Sequence, residues 1–65
     1  MAELSLQKVL SLLGAQHING SDKELKMLCI RIGELVDSNG EEWVKESRQT
    51  LLDEWAYIVN QRIIR

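Results

Sequence analysis

The sequence predicts an all-α fold, a compact antiparallel three-helix bundle with a long C-terminal helix. Apolar residues recur at helical spacing in three segments, two Asn-Gly pairs separate the segments, and each pair precedes residues that favour a helix start. Alternation of apolar and polar residues, which would indicate a strand, occurs only locally at 29–32. We therefore expect one helical domain over residues 1–65, with helices at about 4–14, 22–37 and 41–63.

The first predicted helix has one apolar side. Its apolar residues follow the i, i+3, i+4, i+7 spacing of a helix that packs on one face: Leu6, Val9, Leu10 and Leu13. Gly14 comes directly after this stripe, and glycine readily adopts the left-handed conformation that ends many helices. We therefore expect Gly14 to be the C-cap.

The second predicted helix begins with a capping box. The Ser21 hydroxyl can accept a hydrogen bond from the backbone amide of Glu24, and the Glu24 carboxylate can accept one from the amide of Ser21. The apolar residues that follow lie within an arc of roughly 120°. They are Leu25, Leu28, Cys29, Ile32, Leu35 and Val36. This pattern predicts an amphipathic helix with one buried face.

The third predicted helix is the longest, because residues 41–65 contain no Gly or Pro. It starts after the second Asn-Gly pair, where Glu41 and Glu42 lie near the positive end of the helix dipole. A broad apolar stripe follows, formed by Val44, Leu51, Leu52, Trp55, Ala56, Ile58, Val59 and Ile63. The helix would span about 35 Å and the first helix only about 15 Å. Its C-terminal part either packs on the first helix or projects to meet another chain.

The three stripes together predict a single small core. The residues expected in it are Leu6, Leu10, Leu13, Leu25, Leu28, Ile32, Leu35, Leu51, Trp55, Ile58 and Val59. A chain of this length buries only about 60% of the surface that it exposes when unfolded. The single Cys29 and single His17 exclude an intrachain disulfide and a Cys/His zinc site. Dense helix packing or a partner must then stabilise the fold, which favours a homodimer or higher oligomer.

A second apolar face on the third helix is the main indication of a partner. Trp43, Thr50, Tyr57 and Ile64 recur every seven residues on the side opposite the broad stripe. Because aromatic residues are frequent interface anchors, we predict Trp43, Tyr57 and Ile64 as contact residues. The alternative is that Trp43 folds back on the turn, Tyr57 is partly exposed, and Ile64 frays at the helix end.

The charge distribution argues against general nucleic-acid binding. Eight Lys and Arg against ten Asp and Glu give a net charge of −2 and a pI near 5.2. A helix-turn-helix arrangement would place the start of the third helix on DNA, where Glu41, Glu42 and Glu46 would repel phosphates. We therefore do not expect nucleic acid as a partner.

No catalytic or metal-binding motif stands out. His17 has no second ligand nearby in sequence, and Cys29 falls inside the apolar arc of the second helix. The turn at 37–41 is rich in oxygen ligands, but a calcium loop counted from its first residue needs Gly sixth and Glu twelfth. The chain has Glu42 and Arg48 at those positions. We expect no enzyme activity, no cofactor and no metal.

The patterns together predict a small non-catalytic protein–protein interaction module that self-associates through helical surfaces. On the second helix, Met27 and Ile30 lie outside the apolar arc and are predicted neighbours of the contact residues. The chain lacks a secretion signal, a membrane-spanning apolar stretch and a second cysteine, so we expect a cytoplasmic protein that binds no membrane. The alternative function is a small dimeric DNA-binding transcriptional regulator.

Overall fold

Residues 3–64 are described by a computed structural model, with side chains as far as residue 61. Over this part of the chain the backbone forms helices and no strand, which confirms the all-α prediction. The helices are α1 (Leu6–Leu13), α2 (Asp22–Asn39), α3 (Glu41–Glu46) and α4 (Arg48–Ile64).

α1 has a capping hydrogen bond at each of its ends. The Ser5 hydroxyl accepts a hydrogen bond from the Lys8 amide at 3.2 Å at the N-terminus. Gly14 has φ 66° and ψ 29°, and the Ala15 amide donates to the Leu10 carbonyl at 3.0 Å. The prediction of a left-handed cap at Gly14 is confirmed.

The capping box of α2 is also confirmed. The Ser21 hydroxyl accepts from the Glu24 amide at 3.2 Å, and the Glu24 carboxylate accepts from the Ser21 amide at 2.9 Å. At the other end, Gly40 has φ 91° and is the single residue between α2 and α3. A side chain there would be strained, so a glycine allows the chain to change direction in one residue.

The third predicted helix is two helices in the structure, because the helix is interrupted at Ser47. Ser47 has φ −95° and ψ 9°, outside the regular helical region. Serine favours helix ends over helix interiors, and the Arg48 guanidinium donates to the Lys45 carbonyl at 2.9 Å, which satisfies a carbonyl at the end of α3. The break lets both α3 and α4 pack against α1, so that Val44 on α3 is fully buried.

The core surrounds α1, which packs against all three other helices. Its buried residues are Val9, Leu12, Leu13, Ile18, Leu28, Cys29, Ile32 and Val44. Of the predicted core residues, Leu13, Leu28, Ile32 and Val59 are buried, and Leu10, Leu25, Leu35, Leu51 and Trp55 are partly buried. The predictions for Leu6 and Ile58 are wrong, because these side chains are 37% and 49% exposed.

The two errors in the predicted core have physical causes. A helix with neighbours on several sides buries a wider face than one stripe, so Leu12 enters the core beside Leu13 while Leu6 stays at the exposed start of α1. On the other side, no described Cα atom of α2 lies within 8 Å of one of α4. Ile58 on α4 therefore has no backbone of α2 close enough to cover it.

We expect Leu12→Ala to lower the free energy of unfolding by about 2–4 kcal/mol, because it removes buried methyl groups and leaves a cavity. Leu6→Ala is the matched control on the same helix, and we expect it to cost under about 1.5 kcal/mol. Urea unfolding followed by circular dichroism measures both values. Equal losses for the two variants would contradict the position of α1 in the core.

Candidate functional site

An apolar groove lies between α2 and α4, and we name it the α2–α4 groove. It is lined by Met27, Leu28, Arg31 and Ile32 from α2 and by Leu51, Glu54, Trp55 and Ile58 from α4. Its volume is about 180 Å³. It is open to solvent and can receive an apolar group from outside the chain.

Helical spacing explains how each wall is built. On α4, Leu51, Trp55 and Ile58 are separated by four and three residues, so they lie on one face. On α2, Leu28 and Ile32 are buried at the bottom of the groove, whereas Met27 at its edge is 61% exposed. The groove thus has a buried apolar floor and exposed apolar edges.

Trp55 is held in its wall by a hydrogen bond to the loop before α2. Its indole nitrogen Nε1 donates to the backbone carbonyl of Asn19 at 2.9 Å. A half-buried indole needs a partner for its N–H group, and this contact supplies one from a residue far away in sequence. The loop before α2 therefore helps to set the orientation of the groove wall.

The two walls carry charges of opposite sign. Arg31 lies on the α2 wall and Glu54 on the α4 wall, and both side chains are exposed. Within residues 3–61, neither forms a salt bridge or a side-chain hydrogen bond. Neither charge is therefore neutralised by a neighbour in that part of the chain.

The size of the groove indicates what kind of group fits. Pockets for drug-sized molecules usually have volumes of about 300–1,000 Å³. A volume of about 180 Å³ is close to that of a cavity of about 150 Å³ that holds one benzene molecule. The α2–α4 groove fits one large apolar side chain better than a cofactor.

The structure places the predicted contact residues on different helices, with Met27 and Ile30 on α2, Trp43 on α3 and Tyr57 on α4. Met27 lines the α2–α4 groove, but Trp43, Ile30 and Tyr57 do not. Trp43 lies on α3, on the other side of the break at Ser47 from Tyr57, so the seven-residue repeat does not follow one helix. The side chain of the fifth predicted residue, Ile64, lies outside the described residues.

Sequence reasoning missed the groove because it assigned its α4 wall to the core. Ile58 belongs to the broad apolar stripe, and a stripe does not reveal whether a neighbouring helix covers it. The sequence contains one indication of the groove edges, which is the spacing of four residues between Met27 and Arg31 and between Glu54 and Ile58. Each pair places a charge beside an apolar residue at the edge of a helical face.

A second cavity of about 280 Å³ lies on the other side of Trp55. It is lined by His17, Ile18, Asn19, Leu52, Trp55, Ala56, Val59 and Asn60. At its mouth, the ring nitrogen Nε2 of His17 is 3.2 Å from the side-chain oxygen Oδ1 of Asn19. This cavity combines an apolar floor with polar groups from the loop before α2.

Cys29 is a buried residue of the core and is only 5% exposed. Burial raises the pKa of the Cys29 thiol, and the negative charge of Glu3 raises it further. No three His, Cys, Asp or Glu side chains meet in a metal-binding arrangement in the part of the chain that the structure describes.

No helix among the described residues combines the length and the apolar character needed to cross a membrane. Comparisons with protein-family models, with curated proteins and with solved structures found no significant match. The assignment of a function therefore depends on the geometry of the chain itself.

We expect Cys29 to react with a thiol reagent far more slowly in the folded protein than in denaturant, because the thiol is buried and its thiolate is disfavoured. Equal labelling rates in both states would contradict the burial.

The raised pKa of the Cys29 thiol also makes stability depend on pH. The contribution of the protonated thiol to stability is fully present below the pKa of the unfolded thiol and is lost as the pH rises through the folded-state pKa. Wild type should thus lose more stability than Cys29→Ala above about pH 8.5. Urea unfolding of both proteins at several pH values measures this difference in stability.

Proposed function

We propose that this chain is a small, cytoplasmic, non-catalytic protein–protein interaction module that self-associates through the α2–α4 groove. The observation that supports it is a groove of side-chain size with exposed apolar edges and, on its two walls, a charge of each sign that has no partner within residues 3–61. The partner that we propose for the groove is a second copy of the chain.

The charges favour a second copy because they make the groove self-complementary. In a two-fold dimer the same surface meets itself, so a contact between one residue and another occurs twice. If α2 of one copy lies along α4 of the other, each Arg31 faces a Glu54 of the partner copy, which forms two ion pairs. Ion pairs at the rim of an interface set register and orientation more than affinity.

Met27 is the residue that we propose as the anchor. Its side chain lies at the edge of the groove and is 61% exposed. It can therefore enter the groove of a second copy without any unfolding of the chain to which it belongs. Methionine is unbranched and adapts to irregular apolar gaps. A few such anchors in desolvated pockets supply most of the binding energy of an interface.

The chain has enough accessible surface for a dimer interface of ordinary size. A standard interface buries about 800 Å² on each partner. The accessible surface of the chain is 4813 Å², so an interface of that size would cover about one sixth of it. Covering Met27 and Ile58 would enlarge the apolar core of a domain that is small for independent stability.

We expect Met27→Ala to raise the dimer dissociation constant by about 10-fold to 100-fold, because it removes the anchor from a fully desolvated position. Tyr57→Ala is the matched control, since Tyr57 is also exposed and apolar but lies outside the groove. Sedimentation equilibrium over a concentration series measures both. Wild type that stays monomeric at high micromolar concentration would refute self-association, and a larger effect of Tyr57→Ala would favour the surface predicted on the third helix.

We expect Arg31→Glu and Glu54→Arg each to weaken self-association on the order of tenfold, because each variant places like charges opposite one another. Mixing the two variants should restore association, since every position at the interface then faces the opposite charge. Analytical ultracentrifugation of each variant and of the mixture tests this. A mixture that associates no better than its components would refute the two-fold arrangement.

The same variants distinguish the proposal from a DNA-binding regulator. Association with duplex DNA that weakens steeply as salt is raised would favour the regulator, because counterion release dominates such binding. Under our proposal, wild type shows no such binding, and Glu54→Arg alters self-association only.

A further inference from the structure

The two Asn-Gly pairs of the chain lie in different environments. Asn19 and Gly20 are exposed in the loop between α1 and α2, whereas Asn39 is the last residue of α2 and Gly40 follows it. In any Asn-Gly pair the glycine amide nitrogen can attack the side-chain carbonyl carbon of the asparagine, and glycine adds no side chain that blocks this approach. The surroundings of each pair decide how readily that happens.

The pair at the end of α2 is protected by a backbone hydrogen bond. The Gly40 amide donates to the Val36 carbonyl at 2.8 Å. The nitrogen must lose its proton to act as a nucleophile, so attack on Asn39 requires this bond to break and the last turn of α2 to open. The reaction at Asn39 therefore carries an additional free-energy cost in the folded protein.

The pair in the loop lacks this protection and has a hydrogen-bond donor beside the reacting carbonyl. Among the described residues, the Gly20 amide donates no hydrogen bond. The Asn19 oxygen Oδ1 can only accept, so the His17 nitrogen Nε2 at 3.2 Å donates to it in the tautomer that carries a hydrogen on Nε2. A donor at that oxygen polarises the carbonyl and stabilises the negative charge that develops on it during attack.

We propose that Asn19 is a site of spontaneous deamidation, assisted by His17. The Gly20 nitrogen loses its proton to water or hydroxide and forms a bond to the Asn19 side-chain carbonyl carbon. The bond from that carbon to the amide nitrogen then breaks, and ammonia leaves with a proton from solvent. The product is a cyclic imide. Water adds to either imide carbonyl and opens the ring, which leaves aspartate or an isoaspartyl linkage at position 19.

Deamidation of Asn19 changes the hydrogen bond that orients Trp55. The backbone carbonyl of Asn19 accepts the indole hydrogen bond at 2.9 Å. In an isoaspartyl linkage the main chain passes through the former side chain, so this carbonyl leaves the main chain and becomes part of a free carboxylate. Either product places a new carboxylate beside the second cavity, because Asn19 lines it. Deamidation at this loop therefore acts on the residue that separates the second cavity from the α2–α4 groove.

The test is to incubate the full chain at mildly alkaline pH and to follow both sites by peptide mapping with detection of isoaspartate. In the folded protein we expect Asn19 to convert about tenfold faster than Asn39. In denaturant we expect the two rates to agree within about twofold, because the fold no longer distinguishes the pairs. Equal rates in the folded protein, or faster conversion of Asn39, would overturn the proposal.

His17→Ala tests the assisting hydrogen bond. We expect it to slow conversion of Asn19 by about threefold to tenfold in the folded protein and to have no effect in denaturant. His17→Gln is the matched control, since its side-chain amide retains a donor and should restore part of the rate. An unchanged or faster rate in folded His17→Ala would overturn the role of His17.

The indole N–H resonance of Trp55, followed by NMR, should shift as isoaspartate accumulates, and a constant resonance would refute the link to Trp55.

Discussion

The packing of α1 against the other three helices is the contact on which the rest of the structure depends. α1 has eight residues, so it is about 12 Å long, while α2 and α4 extend about 27 Å and 25 Å. It holds the longer helices in position but is too short to fill the space between them along their full length. The α2–α4 groove is a consequence of this difference in length, and so is the exposure of Ile58.

Trp55 connects the α2–α4 groove with the second cavity. Its indole lines the α2–α4 groove on one side and the second cavity on the other, and its N–H group is tied to the backbone of Asn19. The loop before α2 and the wall of the groove are thereby linked through one side chain. The self-association that we propose and the chemistry that we propose at Asn19 both meet at this residue.

The break at Ser47 decides which apolar residues serve the core and which do not. A continuous helix over 41–63 would keep Trp43 and Tyr57 on one face, as the seven-residue repeat predicts. Ser47 instead separates α3 from α4, so that Val44 is buried against α1 and Trp43 and Tyr57 lie on different helices. The cost of interrupting one helix is offset by burying apolar surface from both halves against the same partner.

The sequence by itself determined the helical class, the capping box at Ser21 and Glu24 and the left-handed cap at Gly14. Each depends on groups three to five residues apart, whose geometry is local to the chain. Only the tertiary structure decided the break at Ser47, the burial of Leu12 and Ile18 and the opening of the α2–α4 groove. Apolar spacing identifies the face of a helix that avoids water, but which parts of it are covered depends on the length and position of helices distant in sequence.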